Sequence, residues 1–173
     1  MINGSNWNPV KSNIVLIGMM GCGKTTVGTL LAEKLGRALV DTDALIVARE
    51  GRSINAIFAA EGEGYFRDLE LGVSEELAEK RDLIIACGGG LPLRPECIGS
   101  LKYSGTVIWL RRDPGETYDT MDTSARPLAR QGRQDFLDRF AQREPIYRQW
   151  ADIVIDDFTS PEVTLNKILE ALQ

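Results

Sequence analysis

A glycine-rich loop that ends in lysine and threonine lies near the start of the chain. Residues 18–26 read GMMGCGKTT, which fits the pattern G-x-x-x-x-G-K-[ST] of a phosphate-binding loop. In such loops glycines let backbone N–H groups turn toward phosphate oxygens, and the helix that follows adds partial positive charge. Lys24 would reach the β- and γ-phosphates of a nucleotide, and the Thr25 hydroxyl would ligate Mg²⁺.

The flanks of this loop favour ligand binding over a plain glycine-rich turn. Four apolar residues, 14–17, precede it as a buried parallel strand would, and a helix-compatible segment, 26–35, follows it. At average residue frequencies the pattern would arise by chance in well under ~1% of chains of this length. We therefore predict a phosphate site between a strand and a helix.

Two aspartates, Asp41 and Asp43, follow a second short apolar segment, 38–40. If the chain stays extended there, both carboxylates face the same side. One could hold Mg²⁺ or its waters, and the other could orient and deprotonate an attacking hydroxyl. A solvated acidic turn or a helix cap is the alternative. Because the chain contains no histidine, acid–base chemistry must come from carboxylates, lysine or a substrate group.

Three consecutive glycines, Gly88, Gly89 and Gly90, follow a third apolar segment, 83–86. They would let a substrate approach bare backbone, although a flexible turn would have the same sequence. Their place at a strand end favours the first interpretation, because ligands of parallel sheets bind at the carboxyl ends of the strands.

Three arginines are placed where they could bind anions. Arg67 has Glu70 at i+3 to hold it, and its planar guanidinium suits a carboxylate, although a surface salt bridge is the alternative. Arg126 lies in a polar stretch, 122–133, that we expect to be a mobile lid. There it could neutralise charge on a transferring phosphoryl group, or simply be solvated. Arg143 is either a second carboxylate ligand or a charge on a helix face.

Short apolar strands alternate with helical segments along the chain. Strands are predicted at 14–17, 38–40, 83–86, 106–110 and 153–155. Helices are predicted at 26–35, 45–50, 53–58, 65–80, 114–121, 134–150 and from 161 onward, with an interruption at Glu61 and Gly62. Pro145 should kink a helix or start one. The alternation predicts an α/β fold, a three-layer α/β/α arrangement with a five-stranded parallel sheet.

Composition limits the classes of function. A chain of 173 residues with 43% hydrophobic content is the size of one domain, 1–173, with a frayed polar extension, 1–13. The net charge of −5 argues against a nucleic-acid partner. No apolar run approaches the roughly 18 residues that would cross a membrane, and no signal peptide is visible. Three cysteines without paired spacing suit a reducing compartment, so we expect a cytoplasmic protein.

The order of these motifs resembles that of shikimate kinase. Along residues 14–172 the chain carries G-x-x-G-x-G-K-T-T-x-G, D-x-D, F-R-x-x-E, G-G-G, R-P-L and R-x-P-[IL]-Y. The resemblance implies a P-loop kinase fold of the nucleoside-monophosphate-kinase type, with a substrate-binding region at 41–70 and a lid at 119–133. It also implies transfer of the γ-phosphoryl group of ATP to the 3-hydroxyl of shikimate, giving shikimate 3-phosphate and ADP on the pathway to chorismate and aromatic amino acids.

The same resemblance implies roles for individual residues. The phosphates of ATP would contact Gly21, Cys22, Gly23, Lys24, Thr25 and Thr26, with Arg126 closing over them. Thr25 resembles the direct Mg²⁺ ligand and Asp41 the water-mediated one. The catalytic residues would be Lys24, Asp43 and Arg126, with Asp43 aligning the acceptor hydroxyl. Shikimate would be bound by Asp43, Phe58, Arg67, Gly88, Gly89, Gly90 and Arg143, with the two arginines on its carboxylate.

Two stretches depart from the family pattern. Many members carry a basic residue seven positions before the lid arginine, where it stacks on adenine, and here that position is Asp119. After the fifth strand a second basic residue is replaced by the acidic pair Asp156-Asp157, where Phe158 could stack on the base instead. These changes bear on nucleotide affinity more than on the type of reaction.

Two other functions fit parts of the pattern. Another small-metabolite kinase of this fold, of the gluconate type or a nucleotide kinase, is the enzymatic alternative, but two arginines and an aspartate suit a hydroxylated acid better than a nucleobase. A nucleotide-binding regulator without transfer activity is expected to lack Asp43 or Arg126, and the chain has both. We expect a monomer that binds ATP, Mg²⁺ and shikimate, and neither nucleic acid nor a membrane.

Overall fold

The computed structural model describes residues 12–123 and 131–173, which form alternating strands and helices. The strands are β1 (Asn13–Ile17), β2 (Ala38–Asp41), β3 (Leu83–Ala86), β4 (Gly105–Leu110) and β5 (Ile153–Ile155). The helices of this described part are α1 (Lys24–Leu35), α2 (Thr42–Glu50), α3 (Ile54–Glu79), α4 (Pro95–Ser104), α5 (Pro114–Thr120), α6 (Arg133–Trp150) and α7 (Pro161–Ala171). A short 3₁₀ turn, Leu91–Leu93, precedes α4.

The five strands form one parallel sheet in the order β2-β3-β1-β4-β5. β1 is central, with Val15 paired to Ile85 of β3 on one side and to Val107 of β4 on the other. The loop after β1 therefore lies where the strand order reverses, the usual ligand position in open α/β sheets. The predicted α/β fold with a five-stranded parallel sheet is confirmed.

Helices cover both faces of the sheet because alternate side chains of each strand point to opposite sides. Val15 and Ile17 of β1 join one buried cluster, and Ile14 and Leu16 join another. The first cluster includes Leu77 of α3, Leu101 of α4 and Phe136 of α6; the second includes Leu31 of α1 and Ile168 of α7. Each large side chain buried in this way contributes about 1.5–3 kcal/mol, so both helical layers are held by apolar burial.

Local sequence signals set several helix ends. Ser53 and Ser160 cap α3 and α7, each accepting a hydrogen bond at 3.1 Å from the backbone N–H three residues on. Inside α3, Gly62 takes φ 81° and ψ 175°, which side-chain-bearing residues rarely adopt, and the helix breaks there. The interruption predicted at Glu61 and Gly62 is confirmed.

Pro145 lies inside α6, within the helix predicted at 134–150, and does not start a new one. Two local expectations were wrong. The helix α4 has no counterpart among the predicted elements, and Pro95 occupies its first turn, where proline is tolerated. Asn13 is not part of a frayed extension. It is buried in β1, where its Nδ2 donates to the Lys80 carbonyl and its Oδ1 accepts from the Leu83 N–H, both at 2.9 Å. Residues 1–11 of that extension lie outside the described residues.

Candidate functional site

The loop between β1 and α1 folds around the amino group of Lys24. The Nζ atom donates hydrogen bonds to the carbonyl oxygens of Gly18 at 2.7 Å and Met19 at 2.9 Å. Gly18 has a φ of 149°, and a Cβ there would lie 2.8 Å from the Leu110 carbonyl oxygen, so the loop requires glycine at this point. Because the first N–H groups of a helix have no partner within the helix, the start of α1 adds donors beside this cation. The arrangement suits phosphate.

A cavity of about 550 Å³ opens in front of the loop. It brings together nine predicted site residues: Gly21, Gly23, Lys24, Thr25, Thr26, Asp41, Asp43, Gly88 and Gly89. The other lining residues are Met20, Ser53, Ile54, Asn55 and Cys87. Residues from three strand ends thus share one space of the size that holds a small ligand.

The two aspartates face this cavity in a different way from that expected. The chain does not stay extended, because Asp41 caps α2 and Asp43 lies in the first turn of that helix. Asp41 accepts hydrogen bonds from the Ala44 N–H at 3.0 Å and from the Thr25 hydroxyl at 3.4 Å. Burial, and then the neighbouring charge of Asp41, raise the pKa of the Asp43 carboxyl, while Lys24 lowers it. A carboxyl group of raised pKa beside a phosphate loop can act as a proton acceptor.

The glycine triplet passes directly against Asp43. A Cβ on Gly88 would lie 2.5 Å from Asp43 Oδ1, so a larger residue would displace the carboxylate. The Gly88 N–H donates to the Thr42 hydroxyl at 2.9 Å, and the Gly89 carbonyl accepts from the Tyr147 hydroxyl at 2.6 Å. Burial raises the pKa of Tyr147 to about 12, so this phenol stays a neutral donor. The backbone of the triplet is therefore fixed on both sides.

Arg143 approaches the triplet from α6. Its Nη1 lies 3.3 Å from the position of a Cβ on Gly89, and its Nη2 lies 3.8 Å from that position on Gly90. The structure thus brings Arg143, Gly89 and Gly90 together, although Arg143 and Gly90 are not among the residues that line the cavity.

The predicted partner of Arg67 was wrong. Arg67 is exposed and its guanidinium pairs with Glu63, one helical turn earlier, through Nε at 3.0 Å and through Nη2. Glu70 is buried at 4% exposure and lies beside Arg94, with 3.9 Å between Arg94 Nη1 and Glu70 Oε1. Glu63 and Glu70 lie four residues before and three residues after Arg67, so either could pair with it along a helix. Because Glu70 is buried, Arg67 pairs with the exposed Glu63.

The remaining predicted residues lie at the margin of the cavity or outside the described part. Phe58 is 40% exposed and packs on Phe66 with ring centroids 5.0 Å apart, and it does not line the cavity. Cys22 is buried beneath the loop. Arg126 and the rest of residues 124–130 of the predicted lid lie outside the described residues. Asp119, which replaces the basic residue of the family pattern, accepts a hydrogen bond from Arg133 Nε at 3.0 Å.

Comparison with known proteins agrees with this geometry. The family model for shikimate kinase matches residues 20–173. A shikimate kinase of Persephonella marina is 42% identical over 159 residues, which cover 91% of this chain and 96% of that protein. The chain belongs to the shikimate kinase family. Because this family consists of ATP-dependent kinases that act on shikimate, the predicted enzyme class is confirmed.

Solved structures of the shikimate kinase family have the same fold. Shikimate kinase from Acinetobacter baumannii, in complex with shikimate, matches with a TM-score of 0.85 and 36% identity over 94% of this chain and 93% of that one. A gluconokinase from Sinorhizobium meliloti matches with a TM-score of 0.58 and 15% identity over 94% and 92% of the two chains. The second likeness shows the P-loop kinase fold alone.

Five cavity residues of this shikimate kinase family member were not predicted from the sequence, and two of them, Met20 and Cys87, adjoin predicted site residues. Ser53, Ile54 and Asn55 form the cap and first turn of α3 and face the phosphate loop across the cavity. Ser53 correctly predicted where α3 begins, but the sequence carries no signal that this first turn lines the cavity. Tyr147 was part of a recognised motif, yet its bond to the Gly89 carbonyl was not predicted.

Within the described ranges, no group of three or more histidine, cysteine, aspartate or glutamate side chains could hold a metal ion. Near the loop, the Thr25 hydroxyl and the Asp41 carboxylate offer oxygen ligands side by side. In the same part of the chain, none of the helices combines the length and the apolar character needed to cross a membrane.

The buried Glu70 of this family member should make stability depend on pH. Burial and the nearby Asp43 charge raise the pKa of Glu70 from 4.5 to about 7, against the opposing effect of Arg94. Between these values the unfolded chain has lost a proton that the folded chain keeps, so the free energy of unfolding should fall as pH rises from 5 to 8. We expect the fall in unfolding free energy from pH 5 to 8 to be about 1–3 kcal/mol smaller in Glu70→Gln than in the wild type. Urea denaturation at a series of pH values measures both curves.

Glu75→Gln, at an exposed position of the same helix, is the matched control and should retain the wild-type pH dependence. A wild-type curve parallel to that of Glu70→Gln from pH 5 to 8 would contradict the raised pKa.

Proposed function

We propose that this chain transfers the γ-phosphoryl group of ATP to the 3-hydroxyl of shikimate, and that it does so as a cytoplasmic monomer. The observation that carries the proposal is the single cavity that Lys24, Asp43 and Gly88 share. The Lys24 ammonium, the half-buried Asp43 carboxyl group and the bare backbone of Gly88 line the same cavity, which supports a phosphate donor bound in line with a hydroxyl acceptor.

The donor end is the loop and the start of α1. ATP phosphates would lie on the backbone N–H groups of residues 21–26, and Lys24 would move from its carbonyl partners to the β- and γ-phosphates. The two carbonyl bonds at 2.7 and 2.9 Å support this, since they hold the amine at the loop until an anion replaces them. Positive charge held there in advance stabilises the charge of the transferring group.

Mg²⁺ fits the same end of the cavity. The Thr25 hydroxyl and the Asp41 carboxylate lie 3.4 Å apart, and hard oxygen ligands of this kind are those that Mg²⁺ prefers. Thr25 would bind the ion directly and Asp41 through a water, with phosphate oxygens and further waters completing the shell. When bound, the ion would neutralise charge on the β- and γ-phosphates.

The acceptor end is formed by Asp43, the glycine triplet and two arginines. Asp43 would accept a hydrogen bond from the 3-hydroxyl and take its proton as the oxygen attacks the γ-phosphorus and ADP leaves. Arg143 beside the triplet and Arg67 on α3 would bind the substrate carboxylate, for which Arg67 must exchange its exposed partner Glu63. Phe58 would form part of the pocket wall. Arg126 lies outside the described residues, and its role over the phosphates stays a prediction.

Replacing either arginine proposed to bind the carboxylate should weaken the binding of shikimate but not that of ATP. We expect Arg67→Ala or Arg143→Ala to raise the Kd for shikimate by about 10- to 100-fold, because a charge-assisted hydrogen bond to a carboxylate is worth about 1.5–3 kcal/mol. The Kd for ATP should change less than about twofold. Calorimetric titration of each ligand measures both quantities.

The matched control for these variants is Arg49→Ala, which removes an exposed arginine that pairs with Glu76 between α2 and α3. It should leave both affinities unchanged. Equal loss of shikimate and ATP binding in the Arg67 and Arg143 variants would contradict their assignment to the acceptor.

A further inference from the structure

Arg94 links two segments of the acceptor side that are far apart in sequence. It closes the 3₁₀ turn Leu91–Leu93 that follows the glycine triplet, and it immediately precedes α4. Its side chain is only 12% exposed, which is unusual for an arginine in a loop. A guanidinium buried to this degree needs fixed partners.

The partners of Arg94 lie on both sides of that turn. Its Nη1 donates a hydrogen bond to the Arg67 carbonyl oxygen at 2.7 Å and lies 3.9 Å from the buried carboxylate of Glu70. Its Nη2 pairs with the exposed Glu96 at 3.0 Å. One side chain therefore contacts α3 at the residue proposed to bind substrate and again one turn later.

The backbone of Arg94 is tied equally closely to the glycine triplet. The Leu91 N–H donates to the Gly88 carbonyl at 3.0 Å, and the Arg94 N–H donates to the Leu91 carbonyl at 3.1 Å. Two consecutive hydrogen bonds thus connect Arg94 to the glycine that packs on Asp43. Movement of Arg94 would be transmitted to the triplet over a few residues.

We propose that Arg94 is a positioning residue, which sets the separation between the glycine triplet and Arg67 and so shapes the acceptor site. The inference rests on the proposed function of that site. Arg94 touches neither reacting group; it acts through Arg67, Glu70 and the turn. A misplacement of about 1 Å of substrate-positioning groups can cost on the order of 10²-fold in rate, so a rigid link here has a functional reason.

The charges around Glu70 explain why a cationic side chain at position 94 is favourable. The groups that face Glu70 are Asp43 of α2, Arg67 of its own helix, Arg94 before α4, and the thiols of Cys87 and Cys97. Asp43 and burial oppose a charge on Glu70, whereas Arg94 and Arg67 favour it. Since Arg67 pairs with Glu63, Arg94 is the cation that contacts the buried carboxylate in this structure.

The kinetic test compares Arg94→Gln, Arg94→Lys and the control Glu96→Gln, which removes only the exposed partner of Arg94. We expect Arg94→Gln to raise KM for shikimate about 10- to 30-fold while KM for ATP stays within about twofold. Arg94→Lys keeps the charge but cannot span both partners, so its KM should be intermediate. Glu96→Gln should match wild type. A KM for shikimate unchanged in folded Arg94→Gln would overturn the proposal.

A second measurement needs no substrate. Amide hydrogen exchange of the unliganded protein should become at least severalfold faster at both 67–71 and 88–94 in Arg94→Gln, and remain unchanged in Glu96→Gln. Unchanged exchange in either segment would refute the link, whatever the activity. If exchange changes in Arg94→Gln as predicted but the wild-type protein does not phosphorylate shikimate, the proposed function is refuted while the link from Arg94 to Arg67 and the glycine triplet stands.

Discussion

Replacing Lys24 with methionine should lower kcat by at least about 10³-fold. Methionine keeps the length and apolar stem of the side chain but removes the only charged group of residues 18–26, which we propose to bind the phosphates. Losing one preorganised group that stabilises transition-state charge costs about 10²–10³-fold, and cationic groups on a transferring phosphoryl reach about 10³–10⁵-fold. The effect should appear in kcat from a coupled assay of ADP release at saturating ATP and shikimate.

Lys34→Met is the matched control for this change. Lys34 lies in the last turn of the same helix, α1, and is exposed, so its loss should leave kcat within about twofold. Circular dichroism and Tm of both variants would exclude unfolding. Retention of more than about one tenth of wild-type kcat in folded Lys24→Met would contradict the assignment of the loop as the donor site.

Replacing Asp43 with asparagine should lower kcat by about 10²- to 10⁴-fold, the usual worth of general base catalysis. Asparagine keeps the shape that packs against Gly88 and can still hydrogen-bond a hydroxyl, but it cannot take the proton. The KM for ATP should therefore change little. Single-turnover measurement of shikimate phosphorylation would show the loss in the chemical step itself.

Asp68→Asn serves as the control, because it makes the same substitution at an exposed position of α3 away from the cavity. It should leave kcat unchanged. If folded Asp43→Asn kept near wild-type single-turnover rates, Asp43 would have no role as proton acceptor, and another group would have to align the hydroxyl.

The fold could be predicted because its signals are local. Runs such as Ile14 to Ile17 are apolar on both faces, as strands of a covered parallel sheet must be, and Ser53, Gly62 and Ser160 mark helix ends through their own backbone and side-chain chemistry. The shared edge of the sheet then follows from parallel pairing, which brings the phosphate loop, Asp43 and Gly88 into one cavity.

The rest of the site depends on contacts between distant elements. Glu63 and Glu70 are both within helical reach of Arg67, and only the packing of α3 on α4 shows that Glu70 is buried and Glu63 exposed. Arg94 lies 27 residues from the Arg67 carbonyl that it contacts, a pairing for which the sequence carries no periodic signal. The sequence pattern therefore gives candidate partners for these arginines, and the packing of distant elements decides which of them pair.

The most direct test of the account is ADP release by the purified wild-type protein with Mg²⁺ and ATP, measured with and without shikimate. We predict that ADP forms only when shikimate is present, with one ADP released for each shikimate 3-phosphate found by mass spectrometry and phosphorus NMR. ADP release that is independent of shikimate, or absent in its presence, would contradict the central claim that this cavity joins a nucleotide donor to a shikimate acceptor.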